Sequence, residues 1–131
     1  MTKLDENMKA MLAVQLPVQA TTGEDGLPDI GPKRSLRVYN DTALIYNENT
    51  GGGLTLKNIR AGSKMAVIDR EKRDGYRFIC TPVITEKGEA YENALNFAQN
   101  NGMQAPLCAV VLQIDEIYSL RSGTDAGKKI Q

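Results

Sequence analysis

Histidine and tryptophan are absent from this 131-residue chain, cysteine occurs twice, and aromatic residues make up 5%. Without imidazole there is no Ser-His-Asp or Cys-His nucleophile and no histidine-ligated zinc. The two cysteines, Cys80 and Cys108, lie far apart without a Cys-x-x-Cys spacing and cannot build a structural zinc site alone. They read either as buried free thiols of a cytoplasmic protein or as one disulfide or redox pair, and the sequence leaves both open. No apolar run approaches the ~18 residues that would span a membrane. The opening MTKLDENMKAMLAV carries acidic residues early and does not resemble a secretory signal. A cytoplasmic protein without a membrane partner is expected. Positive excess is also lacking: 16 Lys and Arg balance 16 Asp and Glu. Non-specific nucleic-acid binding rests on neutralising phosphates, so nucleic acid is not an expected partner.

What is present fits an ordinary globular domain. Hydrophobic residues are 41% and charged residues 24%, and the length suits one domain over residues 1–131. Charge is unevenly spread, however: residues 1–30 carry −3, residues 31–80 carry +5 and residues 81–131 carry −2. A basic middle in a neutral chain points to a local anion site, and a small phosphorylated ligand suits it better than a polyanion. Outward-facing strand charges would give the same count.

Apolar spacing predicts an amphipathic helix over 3–16, ended by Pro17. Strands follow at 18–22 and 28–31 around a Gly-Glu-Asp-Gly turn, then at 33–39 and 42–47 around Asn40-Asp41. A break at 48–53 leads into a short helix over 54–61, closed by Gly62. Strands at 64–69 and 76–85 flank a charged turn at 70–75, with Pro82 interrupting the second. A helix over 89–101, a last strand over 107–120 and a tail at 121–131 complete the chain. Tight hairpins outnumber helical crossovers, so the fold is mainly β with minor α, an antiparallel sheet suited to a small barrel.

Two stretches could meet an anion. In Gly31-Pro-Lys-Arg-Ser-Leu-Arg37, Lys33, Arg34 and Ser35 offer charged and hydroxyl donors, although strand alternation would send Arg34 to the opposite face from Lys33 and Ser35. In Thr50-Gly-Gly-Gly-Leu-Thr-Leu-Lys-Asn58, a glycine run opens a helix, with Thr55 and Lys57 adding donors. It is neither a P-loop nor a dinucleotide fingerprint. The charged tip at 69–76 reads as a solvated hairpin. Asp115 and Glu116 point to opposite strand faces, so no acid–base pair forms there. No catalytic side chain and no metal ligand is assigned.

Taken in order, residues 19–31, 32–36, 44–51, 58–60 with 64–67, and 109–120 resemble the pyridoxamine 5′-phosphate oxidase-like family, specifically its small FMN-binding split barrels. The resemblance spans roughly residues 4–120. It implies a six-stranded antiparallel split β-barrel with flanking helices, and a homodimer with FMN in grooves between subunits. It implies flavin and phosphate contacts from Lys33, Arg34, Ser35 and Leu36, and a strand end beside the flavin at Tyr46 and Asn47. Glu48, Asn49, Thr50 and Gly52 would follow along the groove. Leu54 and Thr55 match positions where the family places a basic and a basic or hydroxyl residue on the phosphate. Leu54 is apolar, so Lys33, Arg34 or Lys57 must supply the missing cation. Cys80-Thr81-Pro82 also departs from the family pattern, and Pro82 should sit at a bulge or an edge. The substrate-binding arginine and histidine motifs of true pyridoxamine-phosphate oxidases are not visible. The resemblance implies an FMN-dependent oxidoreductase working by hydride or electron transfer with a small substrate or electron donor. The alternatives are a non-enzymatic FMN carrier or electron-transfer protein, or a barrel holding haem or a deazaflavin.

Overall fold

A computed structural model describes residues 2–131. The Asp5 carboxylate accepts the Met8 backbone N–H at 2.8 Å and so caps α1 (Glu6–Val14). The helix therefore starts three residues later than its apolar spacing predicts, and Leu4 joins the core from outside it. Then come β1 (Val18–Thr22), β2 (Pro28–Pro32), β3 (Arg37–Asn40), β4 (Ala43–Glu48), α2 (Leu54–Arg60), β5 (Met65–Glu71), β6 (Asp74–Thr85), α3 (Glu89–Asn100) and β7 (Cys108–Ser119).

All seven strands join one antiparallel sheet in the order β2-β1-β5-β6-β7-β4-β3. The count is seven where the resemblance implied six; the class is as expected. The sheet's two outer strands are consecutive in sequence. Pro32 and Arg37 stand five residues apart, at most about 18 Å of extended chain, so the sheet must curl until its edges approach one another. That is a split barrel: its edges are joined by a turn and not by a strand ladder.

Its interior holds Leu44, Tyr46, Met65, Val67, Phe78, Val110, Leu112 and Ile117, with Met8, Met11 and Leu12 of α1 and Leu56 and Ile59 of α2 packed in. A second cluster lies on the outer face of β4 and β7, where Ala43, Ile45, Ala109 and Val111 meet Ala94 of α3. Small residues on both sides let the helix approach closely. Every residue of β4 is consequently buried.

Four expectations need correction. Residues 33–36 are not strand: the Leu36 N–H donates to the Lys33 carbonyl at 3.2 Å, and β3 begins only at Arg37. The turn forms because Ser35 finds a partner across it, described below. The charged tip is tighter than 70–75, since Glu71 still pairs with Asp74 and Lys72 takes a left-handed φ of 57°. Pro82 does not interrupt β6, which runs unbroken from Asp74 to Thr85; it lies beyond the last β5 pairing at Cys80, so its missing N–H faces a free edge, the placement the sequence expects. The tail is not loose: Ile130 N–H donates to the Ile117 carbonyl at 2.7 Å, Lys129 bridges to Tyr118, and the Gln131 side chain ties to Lys3.

Cys80 and Cys108 are both free and buried. Burial pushes the Cys80 thiol up to about 12. Among the described residues no helix is long and apolar enough to cross a membrane, and no His, Cys, Asp and Glu cluster could hold a metal.

Candidate cofactor groove

The turn at 33–36 is held by buried polar contacts. Ser35 Oγ accepts the Asn47 N–H at 3.0 Å. Asn47 Nδ2 in turn donates to the Ala94 carbonyl at 2.9 Å, tying β4 to α3. Arg37 Nη1 donates to the Ser35 carbonyl at 2.6 Å and to Asn47 Oδ1 at 3.3 Å, while Nη2 reaches Asn93 at 2.8 Å. Its guanidinium lies 3.8 Å from the centroid of the Phe97 ring. Burial lowers the Arg37 pKa to about 10, which leaves it charged at neutral pH.

This network holds Lys33 at the mouth of a pocket of about 170 Å³. The walls come from Gln19 of β1, Asp29 to Pro32 of β2, Glu48 at the end of β4, Thr50 and Gly53 of the following loop, and Thr55 of α2. The α2 wall is fixed by a buried bond from Asn58 Nδ2 to Thr21 Oγ1 at 3.0 Å. Thr55 donates its hydroxyl to Asp29 at 2.7 Å. Glu48, 4% exposed, accepts the Thr50 N–H and hydroxyl, both at 3.1 Å. The Lys33 ammonium stands 5.2 Å from the centroid of the Tyr46 ring. Burial, then the nearby Glu48 charge, raises the Tyr46 pKa, so its hydroxyl stays protonated.

Of the residues the sequence proposes, Lys33, Glu48, Thr50 and Thr55 line this pocket. Ser35, Leu36, Tyr46 and Asn47 are buried and do not line it. Arg34 and Asn49 are exposed, and Gly52 borders open space. Leu54 and Lys57 face a neighbouring hollow of about 260 Å³ with Glu24, Asp25 and Leu27. The cations offered for a phosphate are therefore dispersed. Gln19 and Asp29 were missed as site residues. The sequence carries no signal for them: alternation in β1 would send the apolar Val18 and Ala20 inward, whereas Gln19 and Thr21 are the buried residues, and Asp29 on β2 is paired with Thr21.

A flavin ring can be tested against this geometry. Gln19 is 7% exposed and its Oε1 has no partner among the described residues. A Cβ built on Gly31 would meet nothing within 4 Å, so a flat group can approach this backbone. Both features fit the polar edge of a planar ring. The volume is below the roughly 300–1,000 Å³ of complete ligand pockets, and the exposed Ile30 and Leu54 stand beside it. The pocket therefore has an apolar rim.

No family model matches the chain. It is 32% identical to an uncharacterized protein of Methanocaldococcus jannaschii, over 98% of this chain and 88% of that one. Its structure is similar to HupZ of Group A Streptococcus, at 40% identity and a TM-score of 0.85, covering 95% of this chain and 99% of that one. It is also similar to a candidate pyridoxamine 5′-phosphate oxidase of Lactobacillus delbrueckii, at 27% identity and a TM-score of 0.75, covering 90% and 95%. An FMN-binding protein of Syntrophomonas wolfei, 14% identical with a TM-score of 0.73 over 86% of this chain and 82% of that one, shares the fold.

Proposed function

Because the chain belongs to the pyridoxamine 5′-phosphate oxidase-like family of split barrels, we propose that it is a flavoprotein. It holds a flavin-type cofactor, FMN, in a groove completed by a second copy of itself. The observation that carries this reading is the pairing of the orphaned Gln19 amide with the open Gly31 backbone in one pocket. A bound flavin supplies hydride or electron transfer, so the lack of histidine is no obstacle. The chain's own residues bind and orient. Gln19 meets the ring edge, and Gly31 lets the ring lie against β2. Ser35, Asn47 and Arg37 keep the turn fixed so that Lys33 stays at the mouth. Ile30 and Leu54 form the rim that the second copy covers. The enzymatic reading is an FMN-dependent oxidoreductase acting on a small substrate or electron donor in the cytoplasm.

The scattered cations favour one further reading: the same barrel holding a different planar ring, such as haem or a deazaflavin. An absorption spectrum of the protein as purified, followed by FMN titration, separates them. Oxidised-flavin bands, or saturable uptake of FMN, support the proposal. Colourless protein that ignores FMN contradicts it. Bleaching of the flavin by NADH or NADPH with turnover separates an oxidoreductase from a carrier.

A further inference from the structure

A hollow of about 340 Å³ lies between α1 and the β5–β6 hairpin, and it shares no residue with the cofactor pocket. Asn7, Ala10, Met11 and Val14 form one wall, and Glu71 and Asp74 form the other. The first wall is a single stripe of the helix, and three of its four side chains are apolar. The second wall follows from strand register. Glu71 pairs with Asp74 across the hairpin, and the next pair facing the same way is Asp69 with Tyr76. Asp69 therefore stands one row deeper than the two carboxylates at the mouth. Gln15 Nε2 donates to Glu71 at 3.0 Å, while Asn7 Nδ2 and the Gly75 N–H donate to Asp74 at 3.2 Å and 2.9 Å. All three donors are neutral. Among the described residues no lysine or arginine comes within 4.0 Å of Asp69, Glu71 or Asp74. Arg70 turns away to the Lys72 carbonyl and to Ser122. Asp5 and Asp74 are the charged groups gathered with Asp69 around Tyr76, and neither is cationic. A second observation stands apart from this charge count. Asp69 is 2% exposed, and among the described residues neither of its oxygens has a hydrogen-bond partner. Buried carboxyl groups are as a rule satisfied. An orphaned one beneath two uncompensated carboxylates points to a cationic donor.

We propose that this hollow binds a primary alkylammonium ion. An ammonium offers three N–H donors and no acceptor. It meets Glu71 and Asp74 at the mouth and is held by the charge of Asp69 beneath them, while its carbon chain lies along Ala10, Met11 and Val14. The site is separate from the cofactor groove, so the proposal does not rest on the flavin reading.

Hexylammonium chloride and hexanol share a chain and differ in charge. Each is titrated into the full-length protein at pH 8 and followed by amide NMR shifts. Burial pushes the Asp69 pKa up to about 7, so its carboxylate is charged under these conditions. Hexylammonium should saturate, should shift the amides of Met11, Val14 and Glu71, and should bind about tenfold or more tightly than hexanol, the gain expected of charge-assisted hydrogen bonds. Asp69→Asn and Glu71→Gln should each weaken it by about threefold or more. Thermal melting beside the parent reads out whether each variant keeps the fold, and Glu71→Gln, at the exposed mouth, carries the test if Asp69→Asn does not fold. Hexanol binding as tightly as hexylammonium would overturn the proposal, because the hollow would then be an apolar groove alone. Shifts centred elsewhere, or no saturation, would overturn it too. So would an unchanged hexylammonium affinity in the folded variants.

Discussion

Asp69 lies on the inward face of β5 at 2% exposure, and among the described residues neither of its oxygens has a well-formed hydrogen-bond partner. Burial pushes its pKa up from 3.8 to about 7, with the nearby Asp74 adding to the rise. The folded chain therefore holds a proton that the unfolded chain has lost between about pH 4 and pH 7. Stability from this group is full below that window and falls as pH rises through about 7. Asp69→Asn, measured by urea denaturation, should match the parent near pH 4 and exceed it by about 2–4 kcal/mol above pH 8. Parallel curves would show that Asp69 is not the titrating group. Arg37 is the complementary case, a charge fully engaged by Asn47, Asn93 and the Phe97 ring. Arg37→Ala should cost about 2–3 kcal/mol in the same assay, and Arg37→Lys should recover less than half, because an ammonium cannot fork between two acceptors while stacked. At this scale the sequence was partly legible. Lys33 and Thr55 were visible as donors by residue type. That Thr55 spends its hydroxyl on Asp29, and that Lys57 turns to a different hollow, depends on how α2 is rotated against β1. The Asn58–Thr21 bond sets that rotation, and no local pattern announces it.

The β5–β6 hairpin shows what an element demands. A Cβ on Gly75 would lie 2.7 Å from the Asp69 carbonyl oxygen and 2.6 Å from Arg70 Cγ. Gly75→Ala should destabilise the protein by about 2 kcal/mol, as overpacking against backbone does, read as a lower urea midpoint. Lys72 holds a left-handed conformation at φ 57°, so Lys72→Gly should stabilise it by about 0.5–1 kcal/mol. An unchanged midpoint would show that the left-handed turn is not a source of strain. Hairpins 18–32 and 37–48 were readable from their Gly-Glu-Asp-Gly and Asn-Asp turns, and α2 from its closing Gly62. Residues 33–36 misled because alternating polar and apolar residues also occur in a turn whose hydroxyl is satisfied from another strand. The tail misled in the opposite sense: its glycines and lysines look like a solvated end, yet its backbone pairs with β7.

Across the whole molecule, the class followed from hairpin density, and the curling of the sheet from the short link between its two outer strands. The number of strands followed as well: the seven read along the sequence are the seven observed, and only the family resemblance implied six. In the proposed function a second copy completes the groove; the pocket of about 170 Å³ with Ile30 and Leu54 exposed beside it supports that reading. Ile30→Asp, which places a charge on that rim, should convert dimers to monomers and weaken flavin uptake by about tenfold or more, seen by light scattering and titration together. Monomers that retain flavin would separate the pocket from the interface. The most direct measurement is sedimentation velocity of the protein mixed with FMN, followed in the visible flavin band. The flavin should travel with a species of twice the 14.3 kDa chain mass. Flavin that stays behind, or that moves with a single chain, would contradict a cofactor shared between two barrels.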